Sequence, residues 1–137
     1  NYESHKAQNF IDNDKVCINF WWPNIEVQVR IEGNISKCEE KFSDEHFQGR
    51  KPEKNVAALV SEQSKKIESY DLLKQKYEAM KEKVENGDYS QSRPDNWGGY
   101  QIKVHFFEFW EANDDRLNYR ECYEKDNELW SKYFLQS

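Results

Sequence analysis

No stretch of this 137-residue sequence stays apolar long enough to cross a bilayer. The longest nearly apolar runs, Val16 to Trp22 and Val104 to Trp110, fall far short of the ~20 residues a spanning helix needs. The opening Asn1-Tyr2-Glu3-Ser4 is polar and unlike a secretory signal, so a soluble chain with no membrane partner is expected. Cysteine is scarce: Cys17, Cys38 and Cys122 are odd in number and have no CxxC spacing, which argues against a disulfide framework or a zinc site. A reducing, cytoplasmic setting fits best. The three histidines, His5, His46 and His105, lie far apart, so no metal is expected. Lys and Arg number 20 against 26 Asp and Glu, for a net charge of -6 with the signs interleaved. No basic stripe is left to neutralise a phosphate backbone, so no nucleic-acid partner is expected. The phosphate-cradling patterns GxGxxG and GxxxxGK[ST] and the catalytic patterns HExxH and GxSxG are all missing.

What the chain does have is rings: 5 Trp, 8 Tyr and 8 Phe offset a mean hydropathy of -1.14 that alone would lean toward disorder. The length fits one domain spanning 1–137, with a core carried by aromatics. Tandem Trp21-Trp22 are expected to pack in that core, Trp97 is a further candidate for it, and Trp110 is expected either to join them or to serve a binding pocket.

Ala7, Phe10 and Ile11 suit a short helix within residues 5–14. Val16 to Trp22 reads as a strand stopped by Pro23-Asn24, and Val27, Val29 and Ile31 alternate with polar residues up to Gly33-Asn34, with Ile35 to Cys38 continuing the ladder. Helices are predicted from Ser43 to Gln48 and from Pro52 to Gln63, where the proline suits a first turn. The strongest helix carries Leu73, Tyr77, Met80 and Val84 on one face and stops at Gly87. Asp88 to Asn96 reads as a loop. Tyr100 to Trp110 reads as a long strand, followed by turns at Asn113 to Asp115 and Lys125 to Asn127 that separate strands at Leu117 to Tyr123 and Leu129 to Leu135. Strands, then helices, then strands describe an α+β domain whose mostly antiparallel sheet can curl into a barrel.

Several polar residues sit at unexpected places: Gln28 on an alternating strand, Gln63-Ser64 after an apolar helix, and Arg116 and Arg120 in the closing strands. Taken singly, each reads as part of a solvated face. Their order along the chain resembles the pyridoxamine/pyridoxine 5′-phosphate oxidase family. Ser4-His5-Lys6-Ala7 is similar to the family's Ser-Arg-Lys segment, Val27-Gln28-Val29 to its Arg-Gln-Val strand, and Phe47 to Arg50 to its Tyr-Phe-His-Ser-Arg stretch. Val60-Ser61-Glu62-Gln63-Ser64, Trp97-Gly98-Gly99-Tyr100 and Glu108-Phe109-Trp110 match its pattern, and Arg116-Leu117-Asn118-Tyr119-Arg120 resembles its Arg-Leu-His-Asp-Arg.

The resemblance implies a split β-barrel with flanking helices, a homodimer, and flavin mononucleotide (FMN) bound at the subunit interface. It implies FMN-dependent oxidation of pyridoxine or pyridoxamine 5′-phosphate to pyridoxal 5′-phosphate, with dioxygen as acceptor. His5, Lys6, Gln28, Gln63, Ser64, Trp110 and Arg120 would be the cofactor-binding residues, and Arg116 and Asn118 the catalytic pair. Substrate would meet His46, Arg50 and Lys54 together with Arg116 and Asn118. His46 stands where the family has a phosphate-binding tyrosine, Lys54 where it has a serine, and Asn118 where it has a histidine. Asparagine donates a hydrogen bond but does not titrate near neutral pH. The family also carries upstream barrel strands that grip phosphate. The chain is expected to lack these, as a fragment or spliced form of a longer protein or as a shortened relative. Asn118 and those strands motivate a second reading, a non-catalytic paralogue that binds flavin or pyridoxal phosphate, or only dimerises.

Overall fold

The computed structural model describes residues 1–89 and 92–137. Residues 90 and 91, inside the loop predicted from Asp88 to Asn96, lie outside the described residues. The chain divides into two compact units, one of Asn1–Asn13 with Lys37–Tyr100, the other of Asp14–Ser36 with Gln101–Ser137.

The first unit is helical. Helix α1 is the single turn His5–Gln8, shorter than predicted because Asn9, Asp12, Asn13 and Asp14 follow, and such short polar side chains compete for backbone hydrogen bonds. Helix α2, Glu40–Gln48, buries Ser43 and Phe47, which are four residues apart and so share a face. Phe47 is 1% exposed and meets the Trp97 ring edge-on at 5.2 Å. Helix α3, Pro52–Val60, starts on its proline and buries Asn55 and Val56. The buried Asn55 Nδ2 donates to the Phe47 carbonyl at 3.0 Å, satisfying one of the carbonyls that the end of α2 leaves open. Helix α3 ends at Val60, three residues before the predicted stop, because Ser61 turns extended and Ser64 sits at φ +73°. Helix α4, Tyr70–Glu85, is capped by Ser69, whose Oγ accepts from the Leu72 N–H at 3.1 Å. It closes as predicted at Gly87, where φ is +77°, Gly87 N–H donates to Val84 and Asp88 N–H to Lys83.

The five-stranded sheet runs β1 Lys15–Trp22, β2 Val27–Lys37, β3 Tyr100–Glu111, β4 Tyr119–Asp126 and β5 Leu129–Phe134, in that spatial order. The β1–β2, β3–β4 and β4–β5 pairs are antiparallel hairpins. Within the second unit, Gln101 Nε2 donates to Ser36 Oγ and Ala112 N–H to the Glu26 carbonyl, so β2 and β3 also run in opposite directions. Gly33 lies inside β2, and a Cβ there would fall 2.6 Å from both the Lys103 carbonyl oxygen and Ile102 Cγ2. Close backbone approach is therefore why glycine stands in the middle of this strand. Strand β4 runs to Asp126, so the last turn falls on Asn127 and Glu128, which take φ +45° and +73° as a tight hairpin demands.

The aromatic core expected from composition is only partly formed. The buried apolar residues are Ala7, Val29, Phe47, Val56 and Cys122. Trp21 and Trp22, expected in the core, are 52% and 48% exposed. They ride on β1, an edge strand of the described sheet with a neighbour on one side alone, and Trp21 leans on Trp110 with ring centroids 6.2 Å apart. Trp97 does pack, against Phe47 and His46.

Candidate functional site

Strand alternation builds a cleft in the sheet unit. Side chains two apart on a strand share a face, so Gln28 and Arg30 project together from β2, and Glu108 and Trp110 from β3. Trp110 pairs directly with Arg120 of β4, which brings the third strand to the same face. Asn118, just before β4, completes a cleft of about 320 Å³ lined by Gln28, Arg30, Glu108, Trp110, Asn118 and Arg120, with Ser137 at its margin.

A buried carboxylate organises the charges. Glu108 is 4% exposed, its Oε1 accepts from Arg120 Nε at 2.6 Å, and its Oε2 lies 3.9 Å from Arg30 Nη1. Arg120 Nη1 also donates to the Gln136 carbonyl at 3.0 Å. The hydrogen bond to Glu108 pushes the Arg120 pKa upward. Arg30 is raised as well, first by its hydrogen bond to Cys17 Sγ at 3.4 Å and then by Glu32 and Glu108. Burial, reinforced by the Glu108 charge, pushes the Cys122 thiol up and keeps it protonated. Two guanidinium groups of the lining face the Glu108 carboxylate, and Arg30 also pairs with the Glu32 carboxylate. An amide, an indole and an oriented guanidinium together suit a flat ligand with hydrogen-bond acceptors on its edge.

Asn118 is half committed: its Oδ1 accepts from the Asn113 N–H at 3.1 Å, holding the loop that leads into β4. Arg116 sits on that loop at φ +60°, exposed and outside the cleft lining.

The other candidates belong to the helical unit. Gln63 and Ser64 line a cavity of about 270 Å³ with Ser61, Lys65, Lys66 and Lys76. Lys65 Nζ is held by Glu62 Oε1 at 2.7 Å. His46 stacks between Phe42 and Trp97, at 6.4 and 6.0 Å, on the wall of a cavity of about 220 Å³. Arg50 lies over the Trp97 ring with its guanidinium carbon 4.9 Å from the centroid, and its Nη2 donates to the Lys54 carbonyl at 3.2 Å. Its Nη1 is buried with no hydrogen-bond partner. Lys54 joins this group through its backbone, while its side chain is exposed. His5 and Lys6 are exposed on α1.

The structure thus gathers Gln28, Trp110, Asn118 and Arg120 in one cleft, His46 and Arg50 around one indole, and Gln63 and Ser64 in a third place. Sequence reasoning missed Arg30 and Glu108. Both carried a legible signal: Arg30 follows Gln28 by one alternation, and Glu108 is a lone charge inside the aromatic run Phe106 to Trp110.

Residues 1–83 match the family described as pyridoxamine 5′-phosphate oxidase, and residues 97–137 match its region described as the pyridoxine 5′-phosphate oxidase C-terminal dimerisation region. The chain belongs to the pyridoxamine 5′-phosphate oxidase family. Among relatives named pyridoxine/pyridoxamine 5′-phosphate oxidase, that of Colwellia psychrerythraea is 36% identical over 98% of this chain and 61% of its own length. Those of Cytophaga hutchinsonii and Idiomarina loihiensis are 37% and 38% identical, over 97% and 99% of this chain and 62% and 63% of theirs. The chain therefore spans about three fifths of the length of these family members. Among solved structures, PhzG from Burkholderia lata 383, in complex with tetrahydrophenazine-1-carboxylic acid, superposes with a TM-score of 0.86 at 26% identity. That match covers 99% of this chain and 65% of the other. A pyridoxamine 5′-phosphate oxidase-related, FMN-binding protein from Nostoc punctiforme gives 0.67 at 13% identity over 99% of this chain and 70% of its own. The fold is the split barrel of this family, α+β and antiparallel, as expected. Among the described residues, no helix is long and apolar enough to cross a membrane.

Proposed function

We propose that the protein binds FMN as a homodimer and oxidises pyridoxine or pyridoxamine 5′-phosphate to pyridoxal 5′-phosphate, with dioxygen as acceptor. The observation that carries this reading is the convergence of Gln28, Trp110 and Arg120, from three different strands, on one cleft. The donor set fits the group: the Gln28 amide both donates and accepts, Arg120 donates, and the Trp110 indole offers a flat apolar wall, as an imide- and carbonyl-bearing ring system requires. Gln63 and Ser64, in a cavity rich in lysine, supply a hydroxyl, an amide and positive charge suited to a ribityl phosphate. Lys6 adds a cation, and His5 a ring-nitrogen donor, of the same use. FMN, when bound, supplies the acceptor for a hydride equivalent and passes the electrons to dioxygen.

The chain's own residues have the tasks of holding and aiming. Arg50, with one buried guanidinium nitrogen unpartnered, is suited to take a substrate phosphate oxygen beside His46, with Lys54 nearby. Remote phosphate binding of this kind fixes the reacting end in register. Arg116 and Asn118 sit on or beside the 112–118 loop, where Arg116 would cover the substrate ring and the Asn118 Nδ2 would donate a hydrogen bond. The Asn118 amide does not titrate near neutral pH. The dimer follows from the family's dimerisation region, matched over residues 97–137, and from exposed rings such as Trp22 and Trp130.

One observation favours a second reading, a flavin- or pyridoxal-phosphate-binding paralogue without turnover: Asn118 Oδ1 is occupied by the loop backbone rather than offered to a ligand. Flavin absorbance in the purified chain, followed by peroxide release on adding pyridoxine 5′-phosphate, separates the two. Both signals support the oxidase, absorbance alone supports the flavin-binding paralogue, and neither signal removes every flavin-binding reading, leaving the pyridoxal-phosphate binder to a titration with pyridoxal 5′-phosphate. A mass measurement on the flavin-loaded protein showing monomers would contradict the dimer.

A further inference from the structure

The cleft contains a carboxylate that no ligand-binding reading asks for. Glu108 is 4% exposed in the middle of an aromatic strand, and burying a carboxylate is costly unless hydrogen bonds and countercharges surround it. Both are present: Arg120 Nε at 2.6 Å on one oxygen and Arg30 Nη1 at 3.9 Å from the other. The partners are themselves fixed from behind. Arg120 Nη1 is tied to the Gln136 carbonyl at 3.0 Å, and Arg30 to Cys17 Sγ at 3.4 Å and to the Glu32 carboxylate. The geometry reaches across the ladder: Arg120 pairs with Trp110 and Glu108 with Cys122, so the Arg120–Glu108 bond is the diagonal between successive rows of one face. An arginine side chain otherwise has many rotamers to lose on binding.

We infer that Glu108 is a positioning residue, a buried carboxylate that holds the Arg120 guanidinium on the cleft wall beside Trp110 and offsets positive charge in the cleft. That offset matters for what the cleft accepts. A phosphate dianion placed here faces the Glu108 charge, whereas a planar ring whose edge offers carbonyl acceptors, or carries one negative charge, meets a pre-aimed donor. The ring end of a flavin, rather than its phosphate, is the part this cleft selects. That choice of ligand end rests on the flavin reading above; the clamp itself does not.

The test is a double-mutant cycle on the chain as it stands, read by quenching of FMN and riboflavin fluorescence. Glu108→Gln keeps the shape and one acceptor but removes the charge. Affinity for both flavins is expected to fall about tenfold, the scale of one charge-assisted hydrogen bond. In an Arg120→Ala background the same change is expected to cost nothing further, because the group it aims is gone. Competition by inorganic phosphate is expected to strengthen in Glu108→Gln. Losses that simply add, or a Glu108→Gln protein that binds flavin as the parent does, overturn the positioning role. Far-UV circular dichroism on each variant identifies any that fails to fold. The Arg120 Nε–H signal in NMR then decides on the folded parent: slow exchange with solvent supports the clamp, and fast exchange overturns it. Should the parent bind no flavin, the flavin reading fails and the same Nε–H signal, compared with Glu108→Gln, still decides the clamp.

Discussion

The cleft of the sheet unit and the loop cavity of the helical unit hold comparable candidate residues but are built in opposite ways. In the sheet, Gln28, Arg30, Glu108, Trp110 and Arg120 are aimed by alternation and register, and a buried carboxylate ties the charges together. In the helical unit, Gln63 and Ser64 follow the end of α3 on a turn with Ser64 at φ +73°, and the lysines around them are exposed. A strand fixes a side chain through its neighbours' hydrogen bonds, whereas a loop fixes it through backbone torsions. The first arrangement is held by the ladder of the strands; the second rests on the torsions of one turn.

The comparison can be broken most severely at the packing that supports each unit. Phe47→Ala empties the best-buried ring of the helical unit and should cost about 4 kcal/mol in a urea unfolding experiment. It should loosen the His46–Trp97–Arg50 stack while leaving the indole signal of Trp110 unchanged. A loss below about 1 kcal/mol would show that the helical unit does not depend on this ring. Gly33→Ala attacks the sheet instead, since its Cβ would sit 2.6 Å from a backbone oxygen. About 2 kcal/mol of destabilisation is expected from the forced separation of β2 and β3, read by the same unfolding curve. No change would mean that the strands part freely there.

A smaller effect sharpens the contrast between buried and open rings. Trp21→Ala removes a 52% exposed indole and its tilted contact with Trp110, so about 1 kcal/mol or less is expected. The informative readout is the change in Trp110 fluorescence. The smallest effect concerns pH. Hydrogen bonds from Lys132, then Tyr119 and Tyr123, lower the Glu121 carboxyl from 4.5 to about 2. A depressed carboxyl stabilises the fold above its unfolded value and loses that contribution as pH falls from about 4.5 through about 2. Glu121→Gln should therefore flatten the acid limb of thermal stability between those values and leave stability at pH 7 less dependent on Lys132. An unchanged acid limb would remove Glu121 from the account.

Much of this architecture was legible in residues alone. Period-two alternation located β2 and β3, the Leu73 to Val84 spacing located α4, and Gly87 marked its end because φ +77° suits glycine. What could not be read was placement on an edge. Trp21 and Trp22 looked like core residues by type, and their exposure follows from β1 having one neighbour in the described sheet, which is a property of topology rather than of sequence. Likewise Glu108 stands out in sequence as a lone charge among rings, but its partner is legible only once register sets it against Arg120. Gln28, Trp110 and Arg120 were singled out through their order along the chain, and Arg30, one alternation past Gln28, escaped because the resembling segment Val27-Gln28-Val29 stops short of it.

The most direct test follows the side-chain NMR signals of the Gln28 amide, the Trp110 indole N–H and the Arg120 Nε–H while FMN is added to the purified chain. The account predicts that all three move together along one saturating curve. Saturable binding that leaves these three in place and shifts only signals elsewhere would contradict it.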